Sequence, residues 1–125
     1  MSAPTPEHMD QLFVQAMNDG NAEALLALYE PDATLLAHTG DVLADPESRR
    51  AYVAGVLAMS PKMAMETKKI VSRDDLALVY SSWSLAATDP EGTPVTMAGN
   101  SAVVLRRQSD GSWRFAIDDP GWLAG

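Results

Sequence analysis

The chain has 125 residues, no cysteine and a formal net charge of -8. This length is enough for one domain with its own core, and the absence of thiols excludes disulfides, thiolate nucleophiles and cysteine-ligated metals. The negative charge disfavours nucleic acid and anionic membrane surfaces as partners. We therefore expect a single domain over residues 1–125, with a frayed N-terminus at residues 1–5.

Three helices are predicted in the first half of the chain. Thr5 can cap a helix that starts at Pro6 and stops at Gly20, with apolar residues at helical spacing between them. Asn21 can cap a second, shorter helix carrying Leu25, Leu28 and Tyr29. This helix should end before Pro31, because proline disfavours helical geometry in the residue that precedes it.

A short strand and a third helix follow. Residues 34–38 predict the strand, which ends at His38. The third helix opens at Asp45 and Pro46, carries Tyr52 on or near its apolar face, and ends before Pro61.

The second half predicts a meander of four strands: Met63 to Ser72, Leu76 to Ala87, Pro94 to Arg107 and Ser112 to Asp118. Asp110 and Gly111 separate the last two strands, and Asp-Gly between alternating runs is a strong hairpin signal. Helices followed by antiparallel strands indicate an α+β fold with a curved sheet around a pocket.

Residues 76–85 are apolar on both faces of the predicted strand. Leu76, Leu78 and Tyr80 share one face, and Val79, Trp83 and Leu85 share the other. Helices can cover only one of these faces, so a second subunit is expected on the other, in a homodimer formed through the sheet. The alternative is a locally hydrophobic surface.

Two segments carry a resemblance to a known family. GNAEALLALYEPDATLLAH near the start and DGSWRFAIDDP near the end resemble the nuclear transport factor 2-like superfamily, in its SnoaL-like and ketosteroid isomerase-like branch. The resemblance implies a cone-shaped, strongly bent antiparallel sheet with three N-terminal helices on its concave face. It also implies an apolar cavity and dimerisation through the sheet.

The residues of a ketosteroid isomerase are missing from the matching positions. Phe13 occupies the place of the tyrosine donor, and Ala37 occupies the place of the carboxylate base. The later aspartic acid would fall at residues 100–102, where only Asn100 and Ser101 are polar. The sequence therefore predicts no steroid isomerisation by the usual residues.

His38 and Asp118 are the candidate catalytic residues. The ordinary pKa of a histidine suits a general base at neutral pH. The alternative, which the sequence favours, is a histidine at a strand end that is satisfied by backbone or solvent. Asp118 shares a strand face with Ala116, which we expect to look into the cone, and apolar walls there would raise its pKa. Trp113, Phe115 and Ile117 would lie on the opposite face. The alternative for Asp118 is a role in the turn before Pro120.

Phe13, Tyr52, Trp83 and Asn100 are predicted to contact a ligand, although each can instead fill the core or meet a partner subunit. The sequence contains no metal-binding pattern and no phosphate-binding glycine loop, so a site without metal or cofactor is expected.

Two functions remain open from the sequence. The first is a cofactor-free isomerase, cyclase or hydratase that transfers a proton on a small apolar metabolite. The second is a non-catalytic module that binds a hydrophobic ligand or dimerises. Polar groups converging on a closed cavity would favour the first, and a cavity filled by side chains would favour the second.

Overall fold

A computed structural model describes residues 2–122 of the chain. Its helices are α1 (Met9–Asp19), α2 (Ala22–Leu26) and α3 (Pro46–Leu57), and a short 3-10 turn (Pro6–His8) leads into α1. Its strands are β1 (Tyr29–Leu36), β2 (Val42–Leu43), β3 (Lys62–Arg73), β4 (Leu76–Thr88), β5 (Pro94–Arg107) and β6 (Trp113–Asp119). The predicted α+β class with three helices is confirmed.

The helix ends follow the capping residues of the sequence with one exception. The side chain of Asn21 accepts a hydrogen bond from the backbone N–H of Ala24, and that of Asp45 accepts one from Ser48. Gly20 ends α1 in the left-handed region at φ +66°. Thr5 makes no backbone cap, since its hydroxyl contacts His8 instead, and α1 begins only after the 3-10 turn.

The six strands form one sheet in the order β2-β1-β6-β5-β4-β3. From β3 to β6, each strand pairs antiparallel with the next strand of the chain. The predicted hairpin through Gly111 joins β5 to β6. The pair of β1 and β6 is parallel, which adds one parallel ladder to the antiparallel sheet expected from the sequence.

The region around β1 differs from the prediction. Tyr29 begins a strand rather than ending a helix, because α2 stops at Leu26. Pro31 is tolerated in β1 because the ladder with β6 shifts register between Tyr29 and Thr34, where the missing N–H is not needed. His38 lies beyond the strand, in the turn that leads to β2, which sequence analysis did not predict.

One face of the sheet, here called the inner face, packs against the helices. It carries Val79, Trp83 and Leu85 of β4 and Val103 and Leu105 of β5, all of them buried in the core. The opposite, outer face carries the alternating residues of the same strands.

A bulge in β6 corrects the predicted faces of this strand. Val103 pairs with Asp118, and Leu105 pairs with Phe115. Two steps along β5 therefore correspond to three steps along β6. The extra residue lets Phe115 and Asp118 both face inward, while Ile117 faces outward. The prediction that Phe115 lies opposite Asp118 is wrong, because plain alternation cannot foresee a bulge.

Within the N-terminal segment for which fraying was expected, Ala3 packs against β6. Ala3 is fully buried, and its carbonyl accepts a hydrogen bond of 2.9 Å from the backbone N–H of Trp113. A small side chain permits this close approach to β6. Met1 lies outside the described residues.

Candidate functional site

Asp118 is a carboxylate in the protein interior. The register of β6 turns it to the inner face, where only 6% of it is exposed. The hydroxyl of buried Tyr29 donates a hydrogen bond of 2.5 Å to its Oδ2 atom. None of the salt bridges formed within residues 2–122 involves Asp118. The negative charge is therefore held by a neutral donor rather than a cation.

Burial shifts the ionisation of both partners. Removal from water raises the pKa of Asp118 from 3.8 to about 6, the Tyr29 hydrogen bond opposes this rise, and the charges of Asp119 and Asp10 add to it. Burial, followed by the charge and hydrogen bond of Asp118, holds the pKa of Tyr29 well above 10.0. Tyr29 therefore stays a proton donor while Asp118 changes charge near neutral pH.

A small cavity lies between the helices and the inner face. Its volume is about 60 Å³, which is room for about two water molecules. Its lining is mostly apolar and comprises Phe13, Met17, Leu25, Tyr29, Leu35, Tyr52, Val53, Val56, Met63, Trp83, Leu85, Asp118, Pro120 and Trp122. Side chains thus fill most of the space that a ligand would need.

Tyr52 and His38 lie together at one side of this cavity. The Tyr52 hydroxyl is 3.4 Å from Nδ1 of exposed His38, and the His38 ring lies edge-on to Trp122 with centroids 5.4 Å apart. Burial and the charge of Asp118 raise the pKa of Tyr52, so its hydroxyl keeps its proton. This group can donate a hydrogen bond to an oxygen in the cavity.

The segment Pro120–Trp122 closes another side. Trp83 donates a hydrogen bond of 2.8 Å to the carbonyl of Pro120, and its ring lies perpendicular to Trp122 at 4.9 Å. Gly99 permits this packing, because a Cβ there would lie 2.6 Å from both the Pro120 carbonyl and the Trp83 nitrogen.

Trp122 also borders a larger groove. The groove has a volume of about 670 Å³ and runs along β3, β4 and β5. Trp122, Met63 and Leu85 line both spaces and so form the partition between them.

The structure brings together most of the side chains predicted from the sequence. Phe13, Tyr52, Trp83 and Asp118 line the cavity, and His38 lies beside it in contact with Tyr52. Asn100 does not join them.

Asn100 is exposed on the outer face, because strand alternation gives the inner positions of β5 to Gly99 and Ser101. It therefore lies away from the cavity that the other predicted ligand contacts line. Sequence analysis missed Tyr29 and Trp122. The available signal for Tyr29 was its hydroxyl, since a buried tyrosine needs a polar partner.

Between Ser2 and Trp122 the structure has neither a cluster of potential metal ligands nor a helix suited to crossing a membrane. This part of the chain contains no group of three or more histidine or carboxylate side chains arranged to hold a metal ion. None of its helices has the length and apolar character required to cross a membrane.

The family model of the SnoaL-like domain matches residues 11–115. The match covers most of the chain, and the chain belongs to this SnoaL-like family. The resemblance seen in the sequence is thereby confirmed. A search of curated proteins found no match.

Solved structures of similar fold agree with this assignment. A ketosteroid isomerase-like protein from Erwinia carotovora atroseptica has a TM-score of 0.84 and 22% identity, with 95% of this chain and 94% of that chain covered. A candidate calcium/calmodulin-dependent protein kinase II association domain from Xanthomonas campestris has a TM-score of 0.79 and 21% identity, with 94% and 84% covered. A candidate dehydratase of the nuclear transport factor 2-like family from Streptomyces avermitilis has a TM-score of 0.71 and 18% identity, with 87% of each chain covered.

Proposed function

We propose that the protein is a small enzyme that moves a proton on a mostly apolar metabolite, as an isomerase, cyclase or hydratase. The observation that carries this proposal is the buried carboxylate of Asp118, which lines the cavity without a cationic partner. Its pKa of about 6 suits a group that takes up and releases a proton near neutral pH. A buried carboxylate without a cation costs folding free energy, and strongly shifted pKa values of this kind cluster at functional sites.

The side chains around the cavity supply complementary roles. Ionised Asp118 takes a proton from a substrate carbon, and Tyr29 keeps the carboxylate oriented. Tyr52 donates a hydrogen bond to the oxygen on which negative charge develops. Protonated Asp118 then returns the proton to another atom of the same substrate, so no external acid or oxidant is consumed.

The apolar walls of the cavity and the partition at Trp122 limit the polarity and the size of the substrate. Phe13 and Trp83 favour a hydrophobic molecule. A molecule larger than about two waters requires displacement of a lining side chain, and Trp122 is the residue whose movement would join the cavity to the groove. Phe13 and Ala37 stand where a ketosteroid isomerase has its donor and base, so we do not propose that reaction.

Two similar structures support a reaction of this class. One is described as ketosteroid isomerase-like and another as a candidate dehydratase. Both descriptions belong to those proteins, and fold similarity alone does not transfer an activity.

The second candidate is a non-catalytic module that binds a hydrophobic ligand or dimerises. The small volume of the cavity favours it, because ligand sites commonly enclose about 300 Å³ or more. The candidate association domain among the similar structures is a further point in its favour.

Carbon–hydrogen exchange distinguishes the two candidates. The protein is incubated in deuterium oxide with a panel of small apolar ketones and enones, and deuterium uptake at carbon is followed by mass spectrometry. We expect uptake with the wild-type protein and its loss in Asp118→Asn. The control is Asp119→Asn, which changes the adjacent exposed carboxylate. Compounds that bind to wild type and Asp118→Asn alike without uptake would favour the binding module.

A further inference from the structure

A row of hydroxyl groups crosses the inner face of the sheet. Thr67 of β3 pairs directly with Ser81 of β4, and Ser81 pairs directly with Ser101 of β5. Ser81 and Ser101 are buried, whereas Thr67 is exposed on the edge strand. The row interrupts a face that is otherwise apolar, and burial of polar groups is costly unless they are satisfied.

Asp10 of α1 lies over this row. Its Oδ2 atom accepts hydrogen bonds of 2.5 Å from the hydroxyls of both Thr67 and Ser81. The Ser101 hydroxyl donates to the backbone carbonyl of Ser81 at 3.3 Å. Asp10 is half-buried, so it connects the solvent side of the row with its interior side.

A second small cavity connects this row with Asp118. It has a volume of about 40 Å³ and is lined by Asp10, Ser101 and Asp118 together with apolar side chains. This is room for about one water molecule, and three polar side chains are enough to hold it. Asp118 also lines the cavity next to Tyr29, so it faces both spaces.

We propose that Asp10 and a water molecule in this second cavity relay protons between Asp118 and solvent, while Ser81 holds the Asp10 carboxylate and Ser101 lines the cavity of the water. The inference rests on the proposed function, since it explains how Asp118 exchanges a proton while the substrate cavity is closed. Protonated Asp118 gives its proton to the water, and the water gives one of its protons to the Asp10 carboxylate. Asp10 then releases that proton to solvent beside Thr67, and both carboxylates return to their ionised forms.

A purely structural role does not require an acid at residue 10. The oxygen of an asparagine could accept the same two hydroxyl hydrogen bonds. Two carboxylates on one small cavity repel each other when both are ionised, and the charge of Asp10 contributes to the raised pKa of Asp118. Asp10 thus places a second carboxylate on the cavity, as an acceptor for the proton that Asp118 releases.

Hydrogen exchange of the buried hydroxyl tests the relay without any substrate. The exchange rate of the Tyr29 hydroxyl proton, which is bonded to Asp118, is measured by saturation-transfer NMR on the full chain. We expect exchange about a hundredfold slower in Ser101→Ala and in Asp10→Asn, the lower end of what a positioned proton-transfer group contributes. Ser82→Ala is the matched control, because Ser82 is the next residue of β4 and faces the outer side.

The outcomes separate the relay from the proposed function. Wild-type exchange rates in both variants, or equal slowing in Ser82→Ala, would overturn the relay whatever Asp118 does to a substrate. Slower exchange in Ser101→Ala and Asp10→Asn would support it even if no substrate shows deuterium uptake. Ser101→Ala keeps the test decisive if Asp10→Asn does not fold.

Discussion

The Asp118 carboxylate costs the folded protein stability when it is ionised. Its pKa is about 6 in the fold and 3.8 in an exposed chain. A carboxyl with a raised folded pKa contributes stability that is fully present below the unfolded value and is lost as the pH rises through the folded value. From these two pKa values, the free energy of unfolding should fall by about 3 kcal/mol between the acidic and the alkaline limit.

Replacement of Asp118 by asparagine should remove this pH dependence. The amide is neutral at every pH, and its oxygen can still accept the Tyr29 hydrogen bond. We expect Asp118→Asn and wild type to have similar free energies of unfolding at pH 4, and the variant to be more stable by about 2 kcal/mol at pH 8. Urea unfolding at both pH values measures the difference.

The exposed neighbour provides the control for this prediction. Asp119→Asn should keep most of the gap between pH 4 and pH 8, because burial is the main cause of the raised pKa of Asp118 and the charge of Asp119 is a smaller one. A wild-type protein that is as stable at pH 8 as Asp118→Asn would contradict the raised pKa.

The face of the sheet on which a side chain lies could be predicted where the strand alternates regularly, but not where a bulge interrupts it. Asp118 does face inward, but alternation also placed Phe115 outside, and the bulge in β6 places both inside. Asn100 follows plain alternation and lies outside, between the buried residues Gly99 and Ser101 of β5. Tyr29 could not be paired with Asp118 from the sequence, because their contact joins residues 89 positions apart.

At the scale of elements, Arg49 attaches α3 to β1. Its side chain is 3% exposed. It donates hydrogen bonds to the backbone carbonyls of Glu30, Pro31 and Ala33 at 3.1, 2.7 and 2.6 Å. These carbonyls lie where the ladder between β1 and β6 shifts register, so the guanidinium takes the place of the neighbouring strand.

Loss of this guanidinium should destabilise the whole fold. Arg49→Met keeps an apolar stem but leaves three carbonyls without their donor, and we expect a cost of about 3 kcal/mol or more. Arg50→Met is the matched control. Arg50 is exposed on the same helix, so its loss should change stability by about 0.5 kcal/mol or less. Equal free energies of unfolding for the two variants would refute the role of Arg49.

Elements with local signals were predicted well, and elements set by distant partners were not. Gly20, Asn21 and Asp45 mark helix ends through contacts within a few residues, and Gly111 marks its hairpin in the same way. The bounds of β1, the short β2 and the parallel pairing with β6 depend on tertiary contacts. The predicted strand began only at residue 34, because sequence alone cannot show the interrupted ladder that admits Pro31 to β1.

At the scale of the molecule, the outer face carries an apolar row across four strands. Val71, Leu78, Val104 and Ile117 are successive cross-strand partners. Val71 is 49% exposed and Ile117 is 45% exposed. An exposed apolar row in the middle of a sheet is typical of an interaction surface.

We propose that two copies of the chain associate through this outer face. The dimer should bury about 1,600 Å² in total or more. Sedimentation at micromolar concentration should show a dimer for wild type and a monomer for Leu78→Glu, because a charge there would be buried without a partner. Ser84→Glu lies on the outer side of the same strand but away from the row, and it should remain dimeric. A wild-type protein that sediments only as a monomer would refute this proposal.

The parallel pairing of β1 with β6 also determines the order in which the protein can acquire its structure during synthesis. Tyr29 leaves the ribosome early, yet its strand has no long neighbour until β6 has been translated. The antiparallel meander of β3, β4 and β5 can form before that, since each of its strands pairs with the next one in sequence. Until β6 arrives, the nascent chain exposes an unpaired β5 edge that invites aggregation. Emergence from the ribosome of the strand that carries Asp118 is therefore the step that completes the sheet and covers the β5 edge.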